Sequence, residues 1–253
     1  MPDIRKDLKK YLPHLLKAAE DNLNEADTVQ RLTKVFEDVL GYDAMTDISR
    51  EASVKDKFVD VALKIEDAVR ILVEVKSAAT TLRDRHIEQA QNYAANGNIR
   101  WVLLTNGVAW NLYHLTFEEG IESTLAFSVA LTHELDDKAI ELLSLLHRQN
   151  VKKGALDEYW EQRIALSPAS IGRALFTEEA LKFVRREIRR REGILIDEED
   201  LAQAIHEMLS TEARERIGPL KIRRRARARK EKPPPEPIPE EAPKDTDKPK
   251  AQS

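Results

Sequence analysis

The chain of 253 residues contains no cysteine, few glycines and no long uninterrupted hydrophobic run. Without cysteine there are no disulfide bonds and no thiolate metal ligands, a composition typical of a reducing compartment. No segment is long and apolar enough to span a bilayer, and the first residues lack the continuous hydrophobic stretch of a signal peptide. We therefore expect a cytoplasmic protein with no membrane partner.

Proline is scarce except at the C-terminal end, where seven of the eleven prolines lie after residue 232. This Pro-rich stretch contains almost no apolar residue and directly follows the basic run KIRRRARARKEK, so we predict a disordered tail at 221–253. The arginine-rich run from Arg223 to Lys230 could bind nucleic-acid phosphates through sequence-independent contacts, or could simply belong to a solvated tail. The net charge of −4 does not by itself indicate a nucleic-acid-binding protein.

Hydrophobic residues make up 42% of the chain, enough for one good-sized core. Three- and four-residue spacing predicts helices at 4–20, 25–40, 81–95 and 133–149, and alternation predicts strands at 48–54, 58–65, 70–76, 100–105, 108–115 and 120–131. Asn24 is suited to cap the second helix and Gly41 to end it.

This order of elements predicts an α/β domain at 1–150 with a mixed sheet flanked by helices. A small helical appendage would follow at 151–220, with 150–175 as a poorly patterned connector.

Acidic residues stand within two strongly apolar strands, FVDVALKI and ILVEVKS. Glu74 and Lys76 share a face of their strand, because side chains alternate in direction. If the hairpin loop is centred on Asp67, Asp60 lies directly opposite Glu74. Two facing carboxylates repel each other unless a cation lies between them, so the pattern predicts a site for a hard divalent cation and its water.

A Glu-x-Lys pair more often lies on the solvated face of an edge strand. Here the flanking Ile, Leu and Val residues instead indicate a strand buried on both faces, where unpaired charges are costly. Such conflicts occur mainly at functional sites.

The sequence resembles the PD-(D/E)xK nuclease superfamily, whose core is a helix, a three-strand meander, a helix and a strand. More closely, it is similar to the N-terminal nuclease domain of the motor (R) subunit of type I restriction enzymes. The resemblance covers about residues 20–115, through the segments NEADTVQRLTKVFEDVLGYD, VDVALKI, ILVEVKS, EQAQNYA and WVLLTNGVAWNLY. It implies a restriction-endonuclease-like fold, in which Val59 replaces the proline that gives the superfamily its name.

The resemblance also implies the site residues. Asp60, Glu74 and the backbone carbonyl of Val75 would bind Mg²⁺, with Mn²⁺ as a substitute, and Lys76 would act on the attacking water or stabilise charge on the phosphate. Glu25 could assist the metal or its water, or could be an ordinary acid in the first turn of a helix. Gln89 and Tyr93 match a Gln-x-x-x-Tyr motif that could orient Lys76 or contact DNA, but could also be surface and packing residues.

The function implied is Mg²⁺-dependent DNA cleavage in restriction, defence or DNA processing. No GxxxxGK[ST] loop occurs in the sequence, so we expect no ATP-driven translocation and a stand-alone domain, with a separate specificity or motor protein as a possible partner. One alternative is a nucleic-acid-binding module that needs a partner for activity. Another is a scaffold protein, in which Glu74 would pair with Lys76 or Lys64 on an exposed edge strand.

The six histidines show no spacing typical of a metal site. His86 stands one turn before Gln89 and could approach the predicted site, but a surface or core position is the more common role. Trp101, Trp110 and Tyr113 are typical of sheet packing.

Overall fold

The computed structural model describes residues 3–54, 57–118 and 120–219, and for 51–54, 57 and 58 it describes only the backbone. By its contacts the chain divides into a first compact unit that ends at Ile171 and a second that begins at Gly172. Both the predicted tail at 221–253 and its arginine-rich run lie outside the described residues. The domain boundaries predicted at residues 150 and 220 stay predictions.

A six-stranded sheet forms the centre of the first unit. Its strands are β1 (Ile48–Val54), β2 (Lys57–Ile65), β3 (Ala68–Val75), β4 (Trp101–Thr105), β5 (Ala109–Thr116) and β6 (Glu122–Ala130). They lie side by side in the order of the sequence. Only β3 and β4 are parallel, and the other neighbours are antiparallel. The sheet is therefore mixed, as predicted.

Ten α-helices occur within the described ranges. They are α1 (Arg5–Glu20), α2 (Glu25–Asp38), α3 (Glu88–Gly97), α4 (Asp137–Ser144), α5 (Arg148–Lys152), α6 (Ala155–Ala165), α7 (Pro168–Leu175), α8 (Glu178–Glu192), α9 (Glu198–Met208) and α10 (Thr211–Ile217). A 3-10 turn, Asp84–Ile87, precedes α3. The series α2, β1 to β3, α3 and β4 reproduces the predicted helix, meander, helix and strand, and the fold is α/β and restriction-endonuclease-like.

The two faces of the sheet bury separate hydrophobic clusters. The larger cluster packs α1, α2 and α4 to α6 against one face and contains Phe36 and Trp110, whose rings are in edge contact. The smaller one packs Ile87, Ala90 and Ala94 of the α3 region against the other face. β3 contributes to both, because Ile71, Val73 and Val75 belong to the larger cluster and Leu72 to the smaller one. A strand that is covered on both faces has an almost continuous apolar sequence, as β3 has in ILVEV.

The β2–β3 hairpin has the predicted register from Val61 to Leu63. Val61 pairs with Val73, and Leu63 with Ile71. The loop differs from the prediction: Ile65 pairs with Ala68, so only Glu66 and Asp67 form the turn, both with positive φ. A bulge between Leu63 and Lys64 shifts the pairing by one residue and restores the register centred on Asp67.

Several sequence expectations were wrong in detail. The helix predicted over 81–95 begins only at Glu88 after the 3-10 turn, and the one predicted over 133–149 is two shorter helices, α4 and α5. The segment 150–175, expected to be a connector, is largely helical. In α6, Leu156, Tyr159 and Trp160 pack against the larger cluster at three- and four-residue spacing, a weak helical signal that the charged residues between them obscured.

The second unit contains a small core of its own. Leu181 of α8 packs with Leu201 and Ala202 of α9, supported by Val184 and Ile205. Within the described part of the chain, no helix has the length and hydrophobicity needed to cross a membrane.

Candidate active site

Glu74 lies near the carboxyl end of β3, the third strand of six, and is therefore on an interior strand of the sheet. Only 5% of its surface is exposed. Strand alternation directs it to the same face as Leu72, toward the side covered by α3. The scaffold alternative placed this carboxylate on an exposed edge strand, which is not its position in the structure.

Asp60 of β2 lies beside the end of β3 and is partly buried. Its Oδ2 accepts a hydrogen bond of 2.7 Å from the backbone N–H of Val75. The pairing of β2 with β3 ends at Val61 and Val73, so a direct pairing of Asp60 with Glu74 stays a prediction. The two side chains are nevertheless close enough to interact: burial raises the pKa of Glu74, and the charge of Asp60 raises it further. The structure thus brings together the two carboxylates that the hairpin argument predicted to meet.

Lys76 follows β3 directly and joins two of the predicted acids. Its Nζ donates a hydrogen bond of 2.7 Å to Oε1 of Glu74 and a longer one of 3.4 Å to Oε2 of Glu25. The lysine side chain is 20% exposed, whereas that of Glu25 is 47% exposed. The ammonium therefore lies between a buried carboxylate and a solvated one.

Glu25 reaches this position because it opens α2. Asn24 caps that helix as predicted, with its Oδ1 accepting a 2.9 Å hydrogen bond from the N–H of Asp27. Glu25 is the first helical residue, where a negative charge is favoured by the helix dipole. Its contact with Lys76 shows that it is also part of the cluster around Glu74, so the two interpretations of Glu25 are compatible.

The electrostatics of the cluster are dominated by burial. Burial raises the pKa of Glu74, and the charges of Asp60 and Glu25 raise it further, so that the pKa is about 7 although the hydrogen bond from Lys76 lowers it. Burial alone would lower the pKa of Lys76, but its hydrogen bond to Glu74 and the three surrounding carboxylates raise it. Lys76 is therefore a firmly held cation, while Glu74 is only partly ionised near neutral pH.

The two residues of the Gln-x-x-x-Tyr motif differ in environment. Tyr93 is buried in the smaller hydrophobic cluster, and burial raises its pKa. Gln89 is exposed in the first turn of α3. Packing accounts for Tyr93, as its more common role suggested, and a function for Gln89 stays a prediction.

His86 lies near the site, one of the two positions that the sequence left open. Burial lowers its pKa, and the positive charges of Arg85, Lys76 and Arg83 lower it further. Its Nδ1 accepts a 3.2 Å hydrogen bond from the backbone N–H of Arg83. The fold of the 3-10 turn, which the sequence did not predict, places this imidazole within electrostatic reach of Lys76.

Sequence reasoning treated Asn106 only as part of a hairpin turn. In the structure, its side-chain amide donates a 2.9 Å hydrogen bond to the backbone carbonyl of Thr80, on the segment that follows Lys76. The Asn-Gly dipeptide signals the turn, but the long-range bond to Thr80 depends on the parallel arrangement of β3 and β4.

The donors present are of the type that a hard divalent cation prefers. Asp60 and Glu74 supply carboxylate oxygens, and their mutual repulsion and the raised pKa of Glu74 are relieved when a cation lies nearby. The described ranges contain no group of three or more histidine, aspartate or glutamate side chains arranged to hold a metal. The sequence resemblance implies a smaller set of protein ligands, namely two carboxylates and one backbone carbonyl. Such a set fits an ion that retains several of its waters.

A mixed sheet whose core is a helix, a meander, a helix and a strand gives this protein a restriction-endonuclease-like fold. Residues 24–125 match the family described as Type I restriction enzyme R protein N terminus (HSDR_N). The match confirms the resemblance predicted from the sequence and includes all of the predicted site residues. It indicates a nuclease-related function in restriction, with DNA as the substrate of the family. No curated protein and no solved structure matches the chain significantly.

Proposed function

We propose that this protein is a divalent-metal-dependent deoxyribonuclease whose active site contains Asp60, Glu74 and Lys76. Asp60, Glu74 and the carbonyl of Val75 would hold Mg²⁺ or Mn²⁺, and Glu25 would stand at the edge of the site. The observation that carries this proposal is the buried Glu74 on an interior strand, with its pKa raised to about 7 beside Asp60. A carboxylate whose surroundings destabilise its charged form is typical of a functional site.

The chemistry required is attack by water on a negatively charged phosphodiester. When bound, the metal ion would neutralise part of that charge and lower the pKa of its water. The protein supplies the lysine: because Lys76 stays protonated and is held by Glu74 and Glu25, it can donate hydrogen bonds to a phosphate oxygen on which charge develops. Lys76 is therefore assigned to electrostatic stabilisation rather than to proton abstraction.

The turn between Lys76 and α3 offers groups for the DNA backbone. Arg83 and Arg85 are exposed, and their charges and that of Lys76 all act on His86, so the three cations belong to one region. Asp84 anchors the turn to β5 by accepting a 2.8 Å hydrogen bond from the hydroxyl of Tyr113. Arginines on an anchored turn are suited to bind phosphates without reading base sequence.

The test is cleavage of plasmid and single-stranded DNA in Mg²⁺, Mn²⁺ or EDTA by the wild type and by Lys76→Ala. We expect metal-dependent cleavage that falls by about 100-fold or more in the variant, the typical loss when one transition-state donor is removed. Lys34→Ala is the matched control, because Lys34 also bridges two carboxylates, Glu37 at 2.7 Å and Asp38 at 3.5 Å, on the surface of α2. It should cleave like the wild type.

Equal cleavage by Lys76→Ala and the wild type would show that the active site lies elsewhere. Cleavage in EDTA would contradict the metal requirement. If Lys76→Ala is inactive and Lys34→Ala is active, their melting temperatures are compared. Equal melting temperatures would attribute the loss of cleavage to the chemistry of Lys76 rather than to unfolding.

A second candidate function is a nucleic-acid-binding module that needs a partner to cleave. Its support is the direct pairing of Lys76 with both Glu74 and Glu25, which satisfies the lysine without any other ligand. This alternative predicts DNA binding that is weakened by salt but no cleavage with any metal. Binding by Arg83→Gln and Arg85→Gln, measured by fluorescence anisotropy, would then identify the surface.

A further inference from the structure

The turn after β4 lies beside the segment that carries Lys76. β3 and β4 are parallel, so both end at the same edge of the sheet, and Lys76 donates its backbone N–H to the carbonyl of Thr105 at 2.9 Å. Asn106 follows Thr105 and is only 8% exposed. A buried asparagine has up to four hydrogen-bonding positions to satisfy, so its partners indicate what it holds.

The two ends of the Asn106 side chain serve different parts of the chain. Its Oδ1 accepts hydrogen bonds from the N–H groups of Val108, at 3.0 Å, and Ala109, at 2.7 Å, which close its own turn. Its Nδ2 donates to the carbonyl of Thr80, 26 residues earlier, at 2.9 Å. The side chain of Asn106 therefore contributes its oxygen to its own turn and its nitrogen to the other segment.

The segment from Lys76 to Thr80 is held at three points. Lys76 is bonded to Thr105, the N–H of Ala78 donates to the carbonyl of Leu23 at 2.9 Å, and Thr80 accepts from Asn106. The bond to Leu23 places the segment next to the start of α2, where Glu25 lies. Of the three bonds, only the one from Asn106 is made by a side chain.

We propose that Asn106 is a positioning residue for the active site, which fixes Lys76 by holding the carbonyl of Thr80. A catalytic group loses much of its effect when it is displaced by about 1 Å, and a lysine with a flexible stem depends on its backbone for its position. The Nδ2–Thr80 bond is not part of the Asn106 turn, and it ties that turn to the segment that carries Lys76. The catalytic part of this inference rests on the proposed nuclease function.

Asn106→Asp tests the nitrogen separately from the oxygen. The aspartate retains an oxygen for Val108 and Ala109 and keeps the turn, but it presents a second oxygen to the carbonyl of Thr80 and loses that bond. Asn106→Ala removes the bond without adding a charge. Asn150→Asp is the matched control, because Asn150 is also buried and donates its Nδ2 to a backbone carbonyl, that of Ser144 at the end of α4, at 2.6 Å.

The first readout is amide hydrogen exchange of the whole protein, which requires no activity. We expect the exchange of Lys76 and Ala78 to accelerate about tenfold in both Asn106 variants, since loss of one hydrogen bond allows local opening. In Asn150→Asp these two amides should exchange as in the wild type. Acceleration in Asn106→Asp alone would indicate an effect of the added charge and would overturn the proposal, as would unchanged exchange in both.

The second readout is the kinetics of DNA cleavage. Misplacement of Lys76 should lower kcat about tenfold or more and leave KM for DNA unchanged, whereas Asn150→Asp should change neither. If exchange accelerates but kcat does not fall, Asn106 holds the segment without serving catalysis, and the proposal is wrong. If the wild type does not cleave DNA at all, the proposed function fails, and the exchange result still decides whether Asn106 fixes Lys76.

Discussion

Asp47 and Glu74 are two carboxylates with nearly the same small exposed surface, 3% and 5%, but Glu74 lies deeper in the protein. Each forms a salt bridge to a basic side chain, Asp47 to Arg148 at 2.5 Å and Glu74 to Lys76 at 2.7 Å. Their pKa values nevertheless move in opposite directions, down for Asp47 and up to about 7 for Glu74. Low surface exposure and a salt bridge therefore do not distinguish a structural carboxylate from a candidate catalytic one, whereas depth of burial contributes to the difference.

The environment of Asp47 satisfies its charge. Burial alone would raise its pKa, but hydrogen bonds from Arg148 and from the backbone N–H of Asp43 outweigh that effect. Arg148 contacts both carboxylate oxygens and begins α5, so the bridge ties the segment before β1 to a distant helix. This is what an ion pair that stabilises the fold requires, because partly buried charges need several partners.

The environment of Glu74 leaves its charge in conflict. Its partner Lys76 is shared with Glu25, and Asp60 adds a repulsive charge on the same side of the sheet. A cation bound beside Asp60 and Glu74 would remove this conflict, whereas nothing comparable is missing around Asp47. The difference suggests that the ability to gain stability from an added ligand is the better mark of a site.

The largest expected effect is on the pH dependence of stability in Glu74→Gln. Glu74 has a higher pKa in the folded protein than the usual 4.5, so its contribution to stability is complete below about pH 4.5 and is lost as the pH rises to about 7. Relative to Glu74→Gln, the wild type should lose about 2 to 3 kcal/mol between pH 5 and pH 8. Urea unfolding of both proteins without divalent metal at the two pH values measures this loss. An equal change in the free energy of unfolding of the wild type and of Glu74→Gln would contradict the assigned pKa.

Asp47→Asn makes the same chemical change, from a carboxylate to an amide. At high pH it should lower the free energy of unfolding, whereas Glu74→Gln removes a carboxylate that costs stability there. Removing the charge leaves Arg148 without its partner, so we expect the free energy of unfolding at pH 8 to fall by about 2 kcal/mol, less than for a fully buried pair because Arg148 is partly exposed. The pKa of Asp47 is lowered, so its contribution is present above its ordinary pKa of 3.8 and is lost as the pH falls further. A stabilised Asp47→Asn would show that the two carboxylates do not differ as described.

The sequence predicted both the fold and the meeting of Asp60 and Glu74, because alternation and apolar strands determine which side chains share a face. The register was right although the loop was not: the bulge after Leu63 compensates for the two-residue turn. Local patterns do not show such compensations, since a bulge depends on contacts with the neighbouring strand.

Two contacts of the site could not be predicted from the sequence, although the resemblance implied that Glu25 belongs to the site. The contact of Glu25 with Lys76 requires the start of α2 to lie at the end of β3, and the bond from Asn106 to Thr80 requires β3 and β4 to be parallel neighbours. Both depend on chain topology rather than on residue spacing. The lowered pKa of Asp47 could not be predicted either, because its partner Arg148 is 101 residues away in the sequence.

Asp60→Asn is expected to have the smallest effect and tests the source of the conflict at Glu74. The charge of Asp60 raises the pKa of Glu74, so its removal should lower that pKa and make the variant more stable at pH 8 by about 1 kcal/mol or less. An amide oxygen can still accept the hydrogen bond from Val75, whereas Asp60→Ala loses this bond and should be about 1 kcal/mol less stable than Asp60→Asn. Urea unfolding at pH 8 in EDTA compares the three proteins. A marked loss of stability in Asp60→Asn would mean that the carboxylate of Asp60 stabilises the fold as Asp47 does, and the contrast between the two regions would then be confined to Glu74.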